Sequence, residues 1–191
     1  MQAFHFKNHT PIDLTSLQIE GNRIRLLSIN ESYSLEIFKE FTPEITRYMF
    51  PKPAEKIEET LAFIAESLDG MRGGWDLVLV ITQKEDGEFL GCCGLHGRKN
   101  PRTPELGIWL KKDAHGKKYG KEAIETLTLW AIKHIYFDYA IYPVDKANIK
   151  SRKIAEALNG SIFEEKKVKT MRGSYLNEVV YKISYEVLNM G

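Results

Sequence analysis

The sequence predicts a mixed α/β domain of the α+β class, in which about seven mostly antiparallel strands form one sheet with helices on both faces. Two observations support this fold class. Apolar runs that are typical of strands follow one another in the middle and at the end of the chain, where turn residues join them as hairpins. Segments with helical apolar spacing separate the other strands in the order β-α-α-β-β-β-α-β-α-β-β. We expect residues 1–191 to form a single domain, with residues 1–20 as an irregular lead-in.

The composition is that of an ordinary globular protein. Apolar residues make up 43% of the chain, charged residues make up 28%, and the formal net charge is +1. These values argue against disorder and give no overall field that would attract nucleic acid or a membrane surface. Any anion binding must therefore be local. The N-terminus lacks a signal-peptide pattern and no apolar run approaches the roughly 18 residues of a membrane span, so we expect a cytoplasmic protein.

The first third of the chain predicts one strand and three helical segments. Residues 23–27 alternate polar and apolar side chains, as a strand does. Asn30 is a good N-cap for a first helix, and Thr42 followed by Pro43 is typical of the start of a short second one. A longer helix is predicted from about Glu55 to Met71, and glycines end it.

The middle of the chain is rich in predicted strands. Residues 75–82 are apolar enough to be buried on both faces, and a hairpin turn leads to the next strand at Phe89–Leu95. The glycines in that strand suggest a bulge or a close backbone contact. Cys92 and Cys93 are expected to be buried thiols, because neighbours in a strand point to opposite faces and cannot easily form a disulfide.

The last third predicts two helices and three strands. A long amphipathic helix follows Gly120, and a short strand covers Tyr139–Tyr142. Pro143 and residues 145–148 are expected to open a second helix, which ends near Leu158. The two closing strands are expected at Ile162–Val168 and Tyr175–Tyr185, joined by a hairpin at residues 171–174.

The stretch Glu105–Ala123 carries the main functional signal. It predicts an apolar strand, a turn that contains Gly116 and Gly120, and the first turn of the long helix. The first N–H groups of a helix lack intrahelical partners, and the helix dipole adds partial positive charge there. Lysines at positions 117, 118 and 121 add full charges. The sequence therefore predicts that this turn binds the phosphates of a nucleotide-bearing cofactor.

Two familiar phosphate-binding motifs do not fit this turn. A P-loop needs a Lys followed by Ser or Thr, whereas Lys121 is followed by Glu122 and the two glycines are too close together. A dinucleotide-binding fingerprint needs the pattern G-x-G-x-x-G, which does not occur here.

The turn His115–Gly120 instead resembles the signature of the Gcn5-related N-acetyltransferase (GNAT) superfamily, Arg/Gln-x-x-Gly-x-Gly/Ala. Gly120 matches the last position, while His115 stands where Arg or Gln is usual and Lys118 where Gly is usual. Residues 105–110 resemble the central strand of that family, and residues 148–151 match its Asn-x-x-Ser at the start of the next helix. The alternative is that the glycines form a plain turn that packs a helix.

Further similarity lies outside the turn. Residues 157–165 are similar to the helix end and following strand of the family. Residues 44–49 and the tail from Val179 to Glu186 resemble the branch that contains ribosomal-protein N-terminal (alanine) acetyltransferases. The resemblance covers roughly residues 20–188.

The resemblance implies acetyl-coenzyme A as the cofactor and no metal. Its pyrophosphate would bind at the glycine turn and its pantetheine arm would pair with the central strand, where a backbone N–H near Trp109 or Leu110 would polarise the thioester carbonyl. The implied cofactor-binding residues are Ile108, Trp109, Leu110, His115, Gly116, Lys117, Lys118, Tyr119, Gly120, Lys121, Asn148 and Ser151.

Acetyl transfer to an amine also requires a proton acceptor for the amine and a proton for the departing thiolate. Glu105 is the best candidate base, with a solvated strand-end carboxylate as the alternative. Ser151 is a candidate acid or a coenzyme contact. Asn148 is expected to bond the pantetheine or help to position the acceptor, to cap its helix, or to do both. Ala155 occupies the position where the family often has a catalytic Tyr, so Tyr119, Tyr142 or water would have to replace it, unless the thiolate leaves without a dedicated acid.

The acceptor pocket is expected to involve Tyr48, Phe50 and Trp75, although such aromatics commonly pack in a core. His96 is either a cleft residue or a structural one. The sequence thus predicts an N-acetyltransferase that moves acetyl directly to a primary amine, either a protein N-terminus or a small molecule. A non-catalytic module that binds acyl-coenzyme A is the alternative. Neither nucleic acid nor a membrane is expected as a partner, and both a monomer and a homodimer remain open.

Overall fold

The computed structural model describes residues 1–7 and 12–184. Within them, ten strands and four α-helices follow one another, with short 3-10 turns between some of them. They are β1 His5–Phe6, β2 Gln18–Glu20, β3 Ile24–Ser28, α1 Ser34–Glu40, α2 Ile57–Arg72, β4 Asp76–Gln83, β5 Phe89–His96, β6 Glu105–Leu110, α3 Tyr119–His134, β7 Ile135–Tyr136, β8 Tyr139–Asp145, α4 Ile149–Ala157, β9 Ser161–Lys169 and β10 Tyr175–Ser184.

Eight of these strands form one sheet in the order β2-β3-β4-β5-β6-β8-β10-β9, and β1 pairs separately with β7. Every pairing in the sheet is antiparallel except that of β6 with β8, which is parallel. The predicted fold class, a mixed and mostly antiparallel sheet with helices, is confirmed. The eighth strand is β2, which the sequence did not indicate.

Side-chain alternation divides the sheet into two faces. Ile108 and Leu110 of β6 lie on the face that carries α3, where both approach Gly120. Trp109 points to the opposite face, where its ring packs 4.9 Å from that of Phe41 at the end of α1. The helices α1 and α2 therefore cover one face, and α3 and α4 cover the other.

The centre of the sheet is apolar on both faces. Leu79 and Val80 are neighbours in β4 and point to opposite faces, and both are fully buried, which confirms the predicted burial on both sides for residues 76–82 of that run. Cys92 and Cys93 are buried free thiols, as expected. Burial raises the pKa of both thiols, so they stay protonated and unreactive at neutral pH.

The predicted close contact in β5 is present at Gly91. Its φ is 151°, and a Cβ there would lie 2.2 Å from the carbonyl oxygen of Trp109. The register of β4 on β5 shifts between Ile81 and Thr82, at the same level of the sheet. A glycine is therefore required where the backbones of β5 and β6 approach each other.

Two sequence expectations about element boundaries were wrong. The lead-in at residues 1–20 is not wholly irregular, because β1, β2 and a 3-10 turn at Leu14–Ser16 lie within it. Pro143 does not open a helix but lies inside β8, and α4 begins only after Asn148. Part of the tail used for the family resemblance, Tyr185 and Glu186, lies outside the described residues.

None of the helices in residues 1–7 and 12–184 is long and apolar enough to cross a membrane.

Candidate active site

A gap between β6 and β8 lies at the centre of the sheet. The two strands run parallel, but within the described residues they pair only at Glu105 and Ile141, where the N–H of Ile141 donates to the carbonyl of Pro104 at 2.9 Å. Beyond this point the ladder stops while β5 keeps its pairing with β6 as far as Leu110. The gap therefore exposes the backbone of β6 on its β8 side.

Alternation identifies which donors of β6 face this gap. The N–H of Lys111 donates to Leu90 of β5 at 2.8 Å, so Trp109, two residues earlier, also directs its backbone towards β5. The backbone groups of Ile108 and Leu110 then point towards β8. Of the two carbonyl-polarising donors that the sequence left open, the geometry favours Leu110 over Trp109.

Two residues with positive φ shape the turn before α3. Gly116 has a φ of 79° and no atom near a Cβ placed on it, and Lys118 has a φ of 65° as the N-cap of α3. The N–H of Glu122 already bonds the carbonyl of Lys118, whereas the first N–H groups of α3 precede any intrahelical acceptor. The turn therefore offers several backbone donors at a positive helix end.

Three lysines surround these donors without carboxylate partners. Lys117, Lys118 and Lys121 are exposed, and within the described residues none of them lies within 4.0 Å of an acidic oxygen. The neighbouring Glu122 is instead paired with Arg23, whose Nη2 lies 2.8 Å from its carboxylate. Positive charge at the turn is therefore free to meet an anion.

Gly120 allows close packing at the start of α3. A Cβ on it would lie 3.0 Å from the Cδ1 of Ile154 and 3.4 Å from that of Leu110. The missing side chain lets the first turn of α3 sit closely against β6 and α4. His115 reaches back from the turn, and its Nε2 lies 3.0 Å from the Leu110 carbonyl oxygen.

The start of α4 forms the other wall of the gap. Asn148 caps this helix, because its Oδ1 accepts the N–H of Ser151 at 3.2 Å. The Ser151 hydroxyl in turn lies 2.7 Å from the hydroxyl of Tyr142 on β8. Burial raises the pKa of Tyr142 to about 12, and the Ser151 hydrogen bond opposes this only in part. Ser151 and Tyr142 thus form one hydroxyl pair beside the gap.

The other candidate donor, Tyr119, lies elsewhere. Its hydroxyl donates to the Oε1 of Gln83 at 2.9 Å, and the guanidinium of Arg23 stacks 4.8 Å from its ring centre. Tyr119 therefore holds α3 against the end of β4, and Tyr142 is the better placed of the two tyrosines. Ala155, at the position of the usual Tyr, is fully buried.

Glu105 lies where β6 and β8 begin to diverge, on the face that carries α1 and α2. Its side chain is 35% exposed and its Oε2 lies 3.8 Å from the Lys99 ammonium. Glu178 of β10 points to the same face, since it is one residue out of phase with Val179 and Tyr181, which lie against α4. Burial raises the pKa of Glu178, and among its neighbours Lys166 lowers this pKa while Glu105 raises it further. Two carboxylates thus face the side of the sheet that carries α1 and α2.

The predicted acceptor residues divide into two groups. Tyr48 and Phe50 lie on the segment between α1 and α2, which is tied to the β9–β10 hairpin by a hydrogen bond from the Met171 N–H to the Phe50 carbonyl at 3.0 Å. Trp75 lies apart from them, with its ring folded over Gly73 at the end of α2. The structure therefore places Tyr48 and Phe50 on one segment that is tied to the β9–β10 hairpin, whereas the Trp75 ring packs at the end of α2.

Comparison of the sequence with known protein families identifies the family of this chain. The family described as acetyltransferase (GNAT) domain matches residues 23–160, which include the sheet from β3 to β8 and the turn before α3. The chain belongs to the GNAT acetyltransferase family. It is therefore an acetyl-coenzyme-A-dependent N-acetyltransferase that acts on an amine, as its sequence predicted.

Solved structures share the fold of this acetyltransferase. An acetyltransferase from T. thermophilus is 22% identical and has a TM-score of 0.76, with 90% of this chain and 91% of that chain covered. The microcin C7 self-immunity acetyltransferase MccE, solved with acetyl-CoA and AMP, is 19% identical over 85% and 93% of the two chains, with a TM-score of 0.75. RimL, a ribosomal L7/L12 alpha-N-protein acetyltransferase solved with coenzyme A, is 13% identical over 90% and 99%, with a TM-score of 0.79. No curated protein matches the chain.

Two acidic residues near the site were not identified from the sequence. Glu178 could not be recognised as a site residue in the sequence, because a glutamate in an alternating strand ordinarily faces solvent. Asp76 could have been noticed, since it is a charged residue at the start of an otherwise apolar strand, and it is fully buried.

Proposed function

We propose that this GNAT enzyme passes acetyl directly to a primary amine that enters from the face of α1 and α2. The observation that carries the proposal is the divergence of β6 from β8, which leaves the Ile108 and Leu110 donors unpaired in the sheet beside the lysine-bearing turn. When bound, acetyl-coenzyme A supplies the activated acetyl thioester.

The residues present fit this cofactor. The first N–H groups of α3, together with Lys117, Lys118 and Lys121, would bind the pyrophosphate, and the N–H groups of Ile108 and Leu110 would bind the pantetheine arm. The Leu110 N–H is the proposed donor to the thioester carbonyl. Asn148 is bonded to the backbone of its own helix, so we propose that it positions the start of α4, while Ser151 faces the sulfur together with Tyr142.

The proton chemistry follows from the same placement. Glu105 is proposed to attract the ammonium group of the acceptor and to take part in the removal of its proton. The hydroxyl pair of Tyr142 and Ser151 is proposed to donate to the departing sulfur. The high pKa of Tyr142 keeps its hydroxyl protonated at neutral pH, as a donor must be.

We propose a protein N-terminus as the acceptor, with Tyr48 and Phe50 beside the entering chain. The support is the fold shared with RimL over 90% of the chain and the open face at Glu105, where the carboxylate is 35% exposed. A small amine is the alternative acceptor, and MccE shows that the same fold also occurs in a self-immunity acetyltransferase.

The test is thiol release from acetyl-coenzyme A with a panel of peptides that begin with Ala or Ser, compared with polyamines and amino acids. We expect turnover with the peptides, and a fall of about 10²-fold or more in kcat for Glu105→Gln with unchanged coenzyme affinity. Lys39→Gln is a matched control on the exposed surface of α1. Turnover with small amines alone would refute the N-terminal acceptor, and tight coenzyme binding without turnover on any amine would refute the proposed function.

We further propose that residues 1–191 act as one acetyltransferase domain in the cytoplasm. One cluster of buried apolar residues extends from Phe4 to Ile183, which supports a single domain. Two buried free thiols suit a reducing compartment.

A further inference from the structure

Three polar side chains form a row across the centre of the sheet on the face of α1 and α2. His96 of β5 is in register with Asp76 of β4 on one side and with Glu105 of β6 on the other. Residues that are in register on neighbouring strands point to the same face, with Cβ atoms about 5 Å apart. The row therefore joins the proposed acceptor carboxylate to two groups that the sequence left unassigned.

Asp76 is built into the core as a buried anion. Its side chain is fully buried, and its Oδ2 accepts a hydrogen bond from Nε of Arg98, which also pairs with Glu66 of α2 at 2.6 Å. Its Oδ1 has no hydrogen-bond partner among the described residues, and His96 Nδ1 lies 3.4 Å away from it. Burying a carboxylate oxygen without a hydrogen-bond donor costs free energy. Asp76 Oδ1 therefore favours the form of His96 that carries a proton on Nδ1.

The His96 ring extends from Asp76 towards the gap. It lies over the cross-strand pair Gly94 and Gly107, where a Cβ on Gly94 would come within 2.7 Å of Nε2 and one on Gly107 within 3.6 Å. Gly107 lies two residues beyond Glu105 in the direction in which β6 leaves β8. Two missing side chains thus make room for Nε2 above the divergence of the strands, and the His96 side chain is 37% exposed.

We propose that His96, oriented by Asp76, is the group that finally accepts the proton of the amine, and that Glu105 holds the ammonium beside it. A proton on Nδ1 leaves the lone pair of Nε2 free on the side of the gap. Between an imidazole and a carboxylate, the imidazole is the better proton acceptor at neutral pH. His96 is then a catalytic residue and Asp76 a positioning residue. The inference rests on the proposed acceptor face.

The step balances as follows. The ammonium group of the acceptor gives one proton to Nε2 of His96, and the neutral nitrogen then forms the C–N bond to the acetyl carbon. The C–S bond breaks and its electron pair leaves on sulfur. The second proton that the nitrogen loses ends on the sulfur, and His96 returns its own proton to water through its exposed edge.

The kinetic test compares His96→Gln with the wild type over a range of pH. We expect kcat/KM of the wild type to rise with pH through one ionisation. In the variant this ionisation should disappear and kcat should fall by about 10²-fold, with the coenzyme Kd unchanged. His5→Gln, on the exposed strand β1, is the matched control and should keep the wild-type profile.

Other charged groups lie around His96 and Glu105 and can influence this pH profile. Arg98 and Glu66 reach His96 only through Asp76, while Lys99 and Glu178 act on Glu105. Asp76→Asn isolates the positioning role, because its amide can donate to Nδ1 and so place the proton on Nε2. We expect this variant to lose activity while it keeps coenzyme binding.

A second measurement does not depend on turnover. The His96 ring signal is assigned in the NMR spectrum of the cofactor-free protein by its absence in His96→Gln, and is titrated in the wild type and in Asp76→Asn. We expect its ionisation to coincide with that of kcat/KM in each protein, because both methods would follow the same proton.

Two results would overturn the inference. One is an unchanged pH profile and kcat in His96→Gln, and the other is a His96 titration that does not coincide with the kinetic ionisation. If His96→Gln does not fold, Asp76→Asn and the kinetic profile of the wild type still decide the matter, with the His96 ring then assigned by its nuclear Overhauser contacts to Gly94 and Gly107. Failure of the wild type to acetylate any amine would instead refute the proposed function.

Discussion

At the scale of single residues, Lys118 is the most unusual position of the proposed phosphate-binding turn. Its φ of 65° lies in the left-handed region, which costs an L-residue about 1 to 2 kcal/mol relative to glycine. The GNAT signature has glycine here, and the backbone conformation explains why. Lys118 keeps the turn at the cost of strain and adds an ammonium group beside the proposed phosphates.

Two substitutions separate strain from charge at this position. Lys118→Ala removes the charge and keeps the strain, while Lys118→Gly removes both. We expect the Gly variant to be more stable than the Ala variant by about 1 kcal/mol in urea unfolding, because only glycine adopts this φ freely. Both should bind coenzyme A more weakly than the wild type and to a similar extent. A wild-type affinity in either variant would show that the ammonium does not contact the cofactor.

Only some of the residues proposed for the proton chemistry, and few of their contacts, could be predicted from the sequence. Glu105 and Ser151 were predicted from their place in the motif pattern, and Tyr142 was one of three alternatives. The partner of Tyr142 could not be predicted, because Ser151 meets it only when α4 packs on β8. The same holds for Asp76 and His96, which are 20 residues apart in the sequence and in register in the sheet.

At the scale of elements, the start of α3 concentrates the charge that an anion would meet. Lys117 and Lys121 lie at the positive end of the helix dipole, and Lys133 lies at the other end of the same helix. The dipole and the ammonium groups act together only at the first turn, since the field of a helix end falls off within one turn.

This arrangement predicts a position-dependent effect of charge removal. Lys117→Gln and Lys121→Gln should each weaken coenzyme A binding by two- to fivefold, which is about 0.3 to 1 kcal/mol, and should reduce its salt dependence. Lys133→Gln is the matched control and should leave both unchanged. Isothermal titration calorimetry at two salt concentrations is the measurement, and equal effects in all three variants would contradict a phosphate site at the turn.

The strand β8 shows why some element boundaries could not be predicted from the sequence. Pro143 was expected to start a helix, yet it lies in the strand and is in register with Val180 of β10. Because the N–H of Ile141 points to β6, position 143 also faces that side, where β6 has already diverged. A proline therefore loses no ladder hydrogen bond here. Only the gap in the sheet makes this placement possible.

At the scale of the whole molecule, the buried Tyr142 couples folding to alkaline pH. Its pKa is raised from 10.0 to about 12 in the folded protein, so the native state holds its proton more tightly than the unfolded chain does. Stability from this group is complete below pH 10 and is lost as the pH rises towards 12. The same direction holds for the buried thiols, whose pKa values burial also raises.

We therefore expect the free energy of unfolding to fall between pH 10 and pH 12. Since one pKa unit corresponds to about 1.4 kcal/mol, the part due to Tyr142 is on the order of 2 to 3 kcal/mol. Tyr142→Phe removes this part and keeps that of the other groups, so its curve should be flatter by that amount. Urea unfolding at several pH values measures the difference, and parallel curves would show that the hydroxyl is not buried as described.

The sequence by itself determined the fold class, the family and the cofactor, and it predicted the turn that is proposed to bind the phosphates. These features depend on local patterns: apolar periodicity, a glycine turn before a helix, and short motifs in a fixed order. The tertiary structure decided which backbone donors face the gap, why Pro143 can lie in a strand, and which side chains meet across strands. Such contacts join residues that are distant in the chain, and only strand register and helix packing bring them together.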